Sequence, residues 1–248
     1  MTGAKEITGL SGAIVAAGRG ERLRAASDGV PKPIVELGGE TLLRRQARTL
    51  AALGASPVHA IINSETAAII GQRQLAMPSD LDIIVRDTAN SMESLLALGE
   101  RIAPGRFLMT TVDAVICPAE FARFVARALE ITDPALPDAL DGALGVVRWR
   151  GDRHPLFAEV AADGLLSRLG GRETALVTAG VYLFSTRIFA LAATARSAGL
   201  DAMRRYLALL IDKGMRLAAI ELTGVIDIDE AADLDAARAL VASQGGTP

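Results

Sequence analysis

The sequence predicts an α/β fold in which a mixed, mainly parallel sheet is flanked by helices. Short, continuously apolar stretches alternate with stretches whose apolar residues recur at helical spacing, the order that lays helices across a parallel sheet. Half of the 248 residues are hydrophobic, but much of that is alanine, and aromatics make up only 4%. Such a composition favours helix-covered sheets over an aromatic-lined barrel. The first apolar stretch, residues 13–17, runs into a glycine loop, the kind of strand end at which open α/β sheets build their sites.

Taken in order, residues 13–17 read as a fully buried strand. Residues 34–37 read as a brief extended piece turned by Gly38 and Gly39. Thr41 can cap a helix whose apolar positions Leu42, Leu43, Ala47, Leu50 and Leu53 repeat at helical spacing, with Gly54 closing it. Two strands follow at 58–63 and 81–86. A helix covers 91–102, with Ser91 as N-cap and Glu93 in its first turn. A strand at 106–111 ends at Val112 and Asp113. Pro118 then suits a first helical position, backed by Phe121, Val125 and Leu129. The loop 133–138 is the best seam between a first half, about 10–132, and a second, about 139–243, of one domain spanning 10–243. Strands around 143–149, 156–160 and 176–184 and helices around 187–193, 201–213 and 230–242 complete the second half. No internal repeat is visible, and residues 244–248 read as a frayed end.

A net charge of −3 with no Lys/Arg block argues against a nucleic-acid or anionic-membrane surface. No apolar run approaches the roughly eighteen residues of a membrane span, and the N-terminal stretch lacks the marks of a signal peptide. The single cysteine, Cys117, excludes an internal disulfide and suits a reducing cytoplasm, so a cytoplasmic location is expected. With His59 and His154 far apart, no zinc pattern exists, and both read as structural or surface residues. Cys117 reads as a small packing residue and Trp149 as a half-buried strand position. Tyr182 faces either core or ligand, which alternation alone leaves open.

The chemistry-bearing pieces lie at strand ends. Ala16, Ala17, Gly18 and Gly20 form a loop whose backbone N–H groups can approach phosphate oxygens without Cβ interference. Arg22 and Lys32 supply cations to balance an anion, and Pro31 and Pro33 restrict the backbone that aims Lys32. The loop alone is weak evidence. A dinucleotide fingerprint wants a third glycine where Leu23 stands, and no Gly-Lys-Ser/Thr follows for a P-loop. Asp113 and Asp227, each just past an apolar strand, could share one Mg²⁺; alternatively, Asp227 and Asp229 cap the helix that begins near Ala231.

Gly18-Arg19-Gly20-Glu21-Arg22-Leu23 with Pro31-Lys32-Pro33 resembles the signature of the nucleotidyltransferases that make nucleotide sugars. Asp113 fits that family's mid-chain metal carboxylate. Thr178-Ala179-Gly180-Val181-Tyr182 resembles its Ala-Gly strand, and Asp227-Ile228-Asp229 with Asp233-Leu234 its closing segment. These matches run in order from about Ser11 to Leu240. The resemblance implies a Rossmann-like fold of the nucleotide-diphospho-sugar transferase type and an Mg²⁺-dependent transfer of NMP from a nucleoside triphosphate to a sugar 1-phosphate or similar phosphorylated acceptor. It implies Arg22 and Lys32 as catalytic cations, Asp113 and Asp227 as Mg²⁺ ligands, and Glu159, Thr178 and Gly180 on the acceptor, with Gly180 letting it approach the backbone. The family's Glu-Lys-Pro segment is replaced by Arg168-Leu169-Gly170-Gly171-Arg172. The usual Gly-Thr-Ala stretch is replaced by Thr88-Ala89-Asn90-Ser91-Met92-Glu93-Ser94-Leu95, which is more similar to phosphocholine cytidylyltransferases. Thr88, Asn90, Ser91 and Ser94 therefore become the candidate base and ribose contacts. No hexapeptide repeat follows, so an appended β-helix acyltransferase is not expected. Two other classes stay in view: a catalytically silent nucleotide-sensing subunit, and a dinucleotide-dependent oxidoreductase, which Leu23 disfavours. Homo-oligomerisation is left open.

Overall fold

The structure is a computed structural model describing residues 9–18, 20, 23, 29–151 and 155–244. The expectations for Arg22 and His154 fall outside these residues.

Nine strands form one mixed sheet. Its first block is parallel: β1 (Leu10–Ala16) lies between β4 (Val58–Ile62) and β6 (Arg106–Thr111), and β5 (Leu81–Val85) pairs with β4. The long strand β11 (Leu176–Ser185) runs antiparallel to β6, and β8 (Gly142–Arg148) runs antiparallel along its other edge. Beyond β8 lies β12 (Leu217–Glu221), parallel to it. On the edge that later meets β6, the start of β11, at Leu176 and Val177, pairs with β9 (Phe157–Val160), which forms a hairpin with β10 (Leu166–Leu169). Two small ribbons stand apart from the sheet: β2 (Glu36–Leu37) with β3 (Glu40–Thr41), and β7 (Ala114–Ile116) with β13 (Val225–Asp227).

Helices cover both faces. On one face α1 (Leu42–Ala52) and α4 (Pro118–Ile131) bury Leu42, Leu43, Leu50, Phe121 and Phe124. On the other, α3 (Ser91–Gly99) and α6 (Met203–Asp212) bury Leu95, Leu98, Tyr206, Leu207 and Leu210. Each such side chain contributes about 1.5–3 kcal/mol on leaving water. The remaining helices are α2 (Ser64–Gln72), α5 (Ala192–Ser197) and α7 (Ala231–Gln244).

Several boundaries differ from the sequence reading. Residues Lys32–Ile34 form a 3₁₀ turn because Pro31 and Pro33 favour compact φ values, and only Glu36 and Leu37 extend. Asn90, not Ser91, caps α3: its Oδ1 accepts the Glu93 N–H at 3.0 Å. Ser91 Oγ instead accepts the Met203 N–H at 2.9 Å, supplying a cap to α6 that Ala202 cannot. No expectation covers α2, β3, β7, β10 or β12. Thr41 does cap α1, accepting from Arg44 N at 3.3 Å.

One surface tether feeds the site. Glu120, in the first turn of α4, accepts from the Arg123 guanidinium at 2.9 Å and from Thr223 N at 3.0 Å, just ahead of β13. The Arg123 bond first and the Thr223 amide next pull its carboxyl down to about 2. A carboxyl depressed from an ordinary 4.5 contributes stability above that value and loses it as pH falls toward 2. Glu120→Gln is therefore expected to lower the melting temperature at neutral pH, with the gap to wild type narrowing as acid is added from about pH 5 downward. Thermal melts across that range check it.

Candidate active site

The carboxyl ends of β1, β4 and β6 point into a cavity of about 890 Å³. Ala16, Ala17, Gly18 and Gly20 line it from the first strand, and Thr88, Asn90, Ser91 and Ser94 from the approach to α3. Every residue the sequence reading assigns to nucleotide contact and the structure describes is thus in one cavity wall. Their polar atoms are partly engaged, however. Thr88 Oγ1 and Ser94 Oγ lie 2.6 Å apart, and Asn90 Oδ1 and Ser91 Oγ serve as helix caps. Asn63, which the sequence reading passes over, caps α2 and donates from Nδ2 to Ala17 O at 3.2 Å, pinning the glycine loop to β4's end.

Lys32 lies under this loop. Gly20 has φ +58°, and a Cβ there would meet Lys32 Cβ at 3.0 Å, so the glycine lets the loop rest on the lysine stem. The buried Nζ reaches Asp113 Oδ2 at 2.8 Å and Asp229 Oδ1 at 2.9 Å. Burial alone would lower its pKa, but Asp113 first and Asp229 with it outweigh burial and hold the ammonium above the ordinary lysine value.

Asp113 stands on the turn between β6 and β7, and that turn is clamped from beneath. Gln46, buried in α1, donates from Nε2 to Ala114 O at 2.5 Å and lies 3.5 Å from Val112 O, the carbonyls on either side of Asp113. From the other side the Ile228 N–H donates to Asp113 O at 3.1 Å. Gln46→Leu is expected to destabilise the chain by about 1–3 kcal/mol, because it strands a buried acceptor while preserving volume. Denaturant titration measures that loss.

The β7–β13 ribbon sets Asp227 opposite Ala114, one residue from Asp113. Solvent reaches Asp227 through the cleft, yet its carboxyl is raised well above the usual range. Desolvation by the cleft walls is the first cause, followed by the like charges of Asp113 and Asp229. No hydrogen bond or ion pair within the described residues satisfies it. Asp227 does not cap α7; Asp233 does, accepting from Asp229 N at 3.0 Å and Glu230 N at 2.7 Å. Among the described residues no group of three or more His, Cys, Asp or Glu is arranged to hold a metal. Two crowded carboxylates, one without a counter-cation, nevertheless fit a hard divalent ion that completes its shell with phosphate oxygens and water.

A second cavity of about 810 Å³ opens on the far side of Asp113, which with Thr111 lines both. Thr178, Gly180, Asp227, Arg150 and Arg204 face it. The two arginines, neither of them assigned to the site from the sequence, have no ion-pair partner within the described residues. Tyr182 is both wall and core: it stacks on Phe184 at 5.6 Å, and burial pushes its phenol far up, so it stays a neutral hydroxyl.

One expectation needs correction. Glu159 is not in either wall; its carboxylate pairs with Arg172 at 3.0 Å on the β9–β10 hairpin. Gly180 answers first to the protein itself: at φ +69°, a Cβ would fall 2.6 Å from Thr111 Oγ1 and 3.0 Å from Ala114 Cβ. It occupies the irregularity where β11 shifts register between Thr178 and Tyr182. Trp149 lies outside both walls, edge-on to Phe157 at 5.2 Å. Within the described residues no helix is long and apolar enough to cross a membrane.

A cavity lined by Gly18 and Gly20, a buried lysine and a pair of crowded carboxylates thus stand together at one rim of a mixed α/β sheet. A family model described as the MobA-like NTP transferase domain matches residues 12–187. The chain belongs to that family and is a nucleotidyltransferase. The fold is similar to that of the inositol-1-phosphate CTP transferase from T. maritima, with TM-score 0.74, 18% identity and coverage of 97% of this chain and 98% of that one. It is similar to a putative glucose-1-phosphate thymidylyltransferase from Bacillus anthracis, with TM-score 0.76, 14% identity and coverage of 93% and 94%. A CTP:phosphocholine cytidylyltransferase from Streptococcus pneumoniae gives TM-score 0.69 at 16% identity, covering 94% and 99%. Among curated proteins none matches the chain.

Proposed function

We propose that the protein transfers a nucleoside monophosphate from a nucleoside triphosphate to a sugar 1-phosphate or a similar small phosphorylated acceptor, releasing pyrophosphate. The observation that carries this reading is the position of Asp113 and Thr111 on the shared edge of two cavities. One cavity is floored by glycines, as a triphosphate requires. The other presents Arg150 and Arg204, which suit an acceptor's phosphate. The similar structures support the acceptor class, since they are described as transferases for inositol 1-phosphate and phosphocholine and as a putative one for glucose 1-phosphate. The stretch from Thr88 to Leu95 and two CTP-using neighbours make CTP the first triphosphate to test.

The acceptor phosphate is already ionised near neutral pH, so attack on the α-phosphorus needs no general base. The protein's task is to juxtapose two anions and offset charge as the bond to pyrophosphate lengthens. Lys32 supplies a fixed cation beside the glycine loop, and the signature that contains Arg22 assigns it as the second catalytic cation. Asp113 and Asp227 are the residues that would hold Mg²⁺, which would neutralise phosphate charge when bound. Thr88, Asn90, Ser91 and Ser94 shape the base and ribose wall, with the Asn90 Nδ2 amide and the backbone as donors. Thr178 and Gly180 border the acceptor. Arg22→Ala is expected to lower turnover on the order of 10²–10³-fold, the scale for losing one charge-stabilising group.

The deciding experiment is pyrophosphate release across the four ribonucleoside triphosphates, paired with sugar 1-phosphates and phosphoalcohols in Mg²⁺. Release that requires both partners supports the reading. Silence across the whole panel overturns it.

A further inference from the structure

Two carboxylates hold Lys32, and they come to it from distant parts of the chain. Its Nζ lies 2.8 Å from Asp113 Oδ2 and 2.9 Å from Asp229 Oδ1. The lysine side chain is 9% exposed, so neither bond is a surface pairing that water readily replaces. Asp229 itself is presented from a fixed support, because Asp233 Oδ2 accepts the N–H groups of both Asp229 and Glu230 ahead of α7. Lysine, by contrast, carries its charge on a flexible four-carbon stem. A rigid acceptor at its tip is what gives such a side chain one position.

Asp113 cannot provide that anchor alone. It stands on the edge common to both cavities and is one of the two residues proposed above to hold the metal. Asp227, the other, has no protein cation bonded to it among the described residues, whereas Asp229 spends Oδ1 on Lys32. On the functional reading just given, we infer that Asp229 is a positioning residue that fixes Lys32 beneath the glycine loop, and that it is not a ligand of the metal. The neighbouring acids Asp227 and Asp229 thus divide the work: one faces the divalent ion, the other holds the ammonium.

The test compares Asp229→Asn, Asp227→Asn, Lys32→Ala and the double variant Lys32→Ala/Asp229→Asn. Asparagine preserves the shape of the side chain, and the Asp229 backbone bond to Asp233 survives the change. Three readouts are taken: turnover, Mn²⁺ affinity by electron paramagnetic resonance with Mn²⁺ alone, and the rate at which Lys32 is modified by an amine-directed reagent, followed by mass spectrometry. Asp229→Asn is expected to lower turnover about 10–100-fold, the usual cost of removing a supporting partner. It should also raise Lys32 modification severalfold and leave Mn²⁺ affinity as in wild type, while Asp227→Asn weakens Mn²⁺. In the Lys32→Ala background the Asp229 change should add nothing. Mn²⁺ binding weakened as much by Asp229→Asn as by Asp227→Asn would overturn the inference, as would multiplicative losses in the double variant or unchanged Lys32 labelling. Labelling and Mn²⁺ binding need no turnover, so failure of the transferase reading is seen separately, as absent pyrophosphate release by the wild-type chain.

Discussion

Asp113→Asn is expected to leave the fold intact while lowering turnover on the order of 10²–10³-fold, the scale of one lost charge-stabilising contribution. The fold survives because the turn carrying Asp113 is fastened through its backbone. Gln46 holds the flanking carbonyls, and Ile228 N–H holds the Asp113 carbonyl. Lys32 Nζ keeps its charged bond to the Asp229 carboxylate, so the lysine stays anchored. The change also relieves Asp227 of one neighbouring like charge, which offsets part of any stability lost. The negative charge at the meeting edge of the two cavities is what disappears. Thermal melting together with steady-state turnover separates the two effects. Near-wild-type turnover in a folded Asp113→Asn protein would remove Asp113 from the reaction.

The parts of this site legible in the sequence are those whose chemistry is local. The apolar run into Gly18 and Gly20, the prolines beside Lys32 and the acid after β6 each announce themselves within a dozen residues, because backbone geometry and strand-end placement act at that range. Lys32 with Asp229 is different: the partners are separated by 197 positions, and nothing near either one specifies the other. Gln46 is hidden for another reason. A glutamine at the margin of an apolar helix stripe reads as the start of the solvent face, and only its buried carbonyl partners reveal that it points inward. The same limit governs the fold. The continuously apolar strands β1, β4 and β6 are plain, whereas β7 and β10 are short, two of the five residues of β12 are alanine, and all three gain their identity from pairing. In α2 only Thr66 is fully buried, so its apolar period is weak. Asn90 takes the cap from Ser91 because Ser91 is drawn to the amide of Met203, a contact that only the packed helices supply.

Gly180→Ala is expected to cost about 2–5 kcal/mol, from left-handed backbone strain and overpacking together, or on the order of 5–15 °C in Tm for a chain of this size. The two contributions can be pulled apart with a second glycine. Gly164 has φ +83°, and a methyl added there would find no atom within 4 Å, whereas Gly180 at φ +69° would press that methyl to 2.6 Å from Thr111 Oγ1 and 3.0 Å from Ala114 Cβ. Gly164→Ala should therefore cost only the backbone share, about 1–2 kcal/mol. Because Thr111 and Ala114 flank the Asp113 turn, the displacement they absorb in Gly180→Ala should also reach turnover, while Gly164→Ala leaves it unchanged. Equal melting temperatures for the two variants would mean that Thr111 and Ala114 yield without strain. The need for glycine at position 180 would then lie with a molecule approaching from the second cavity.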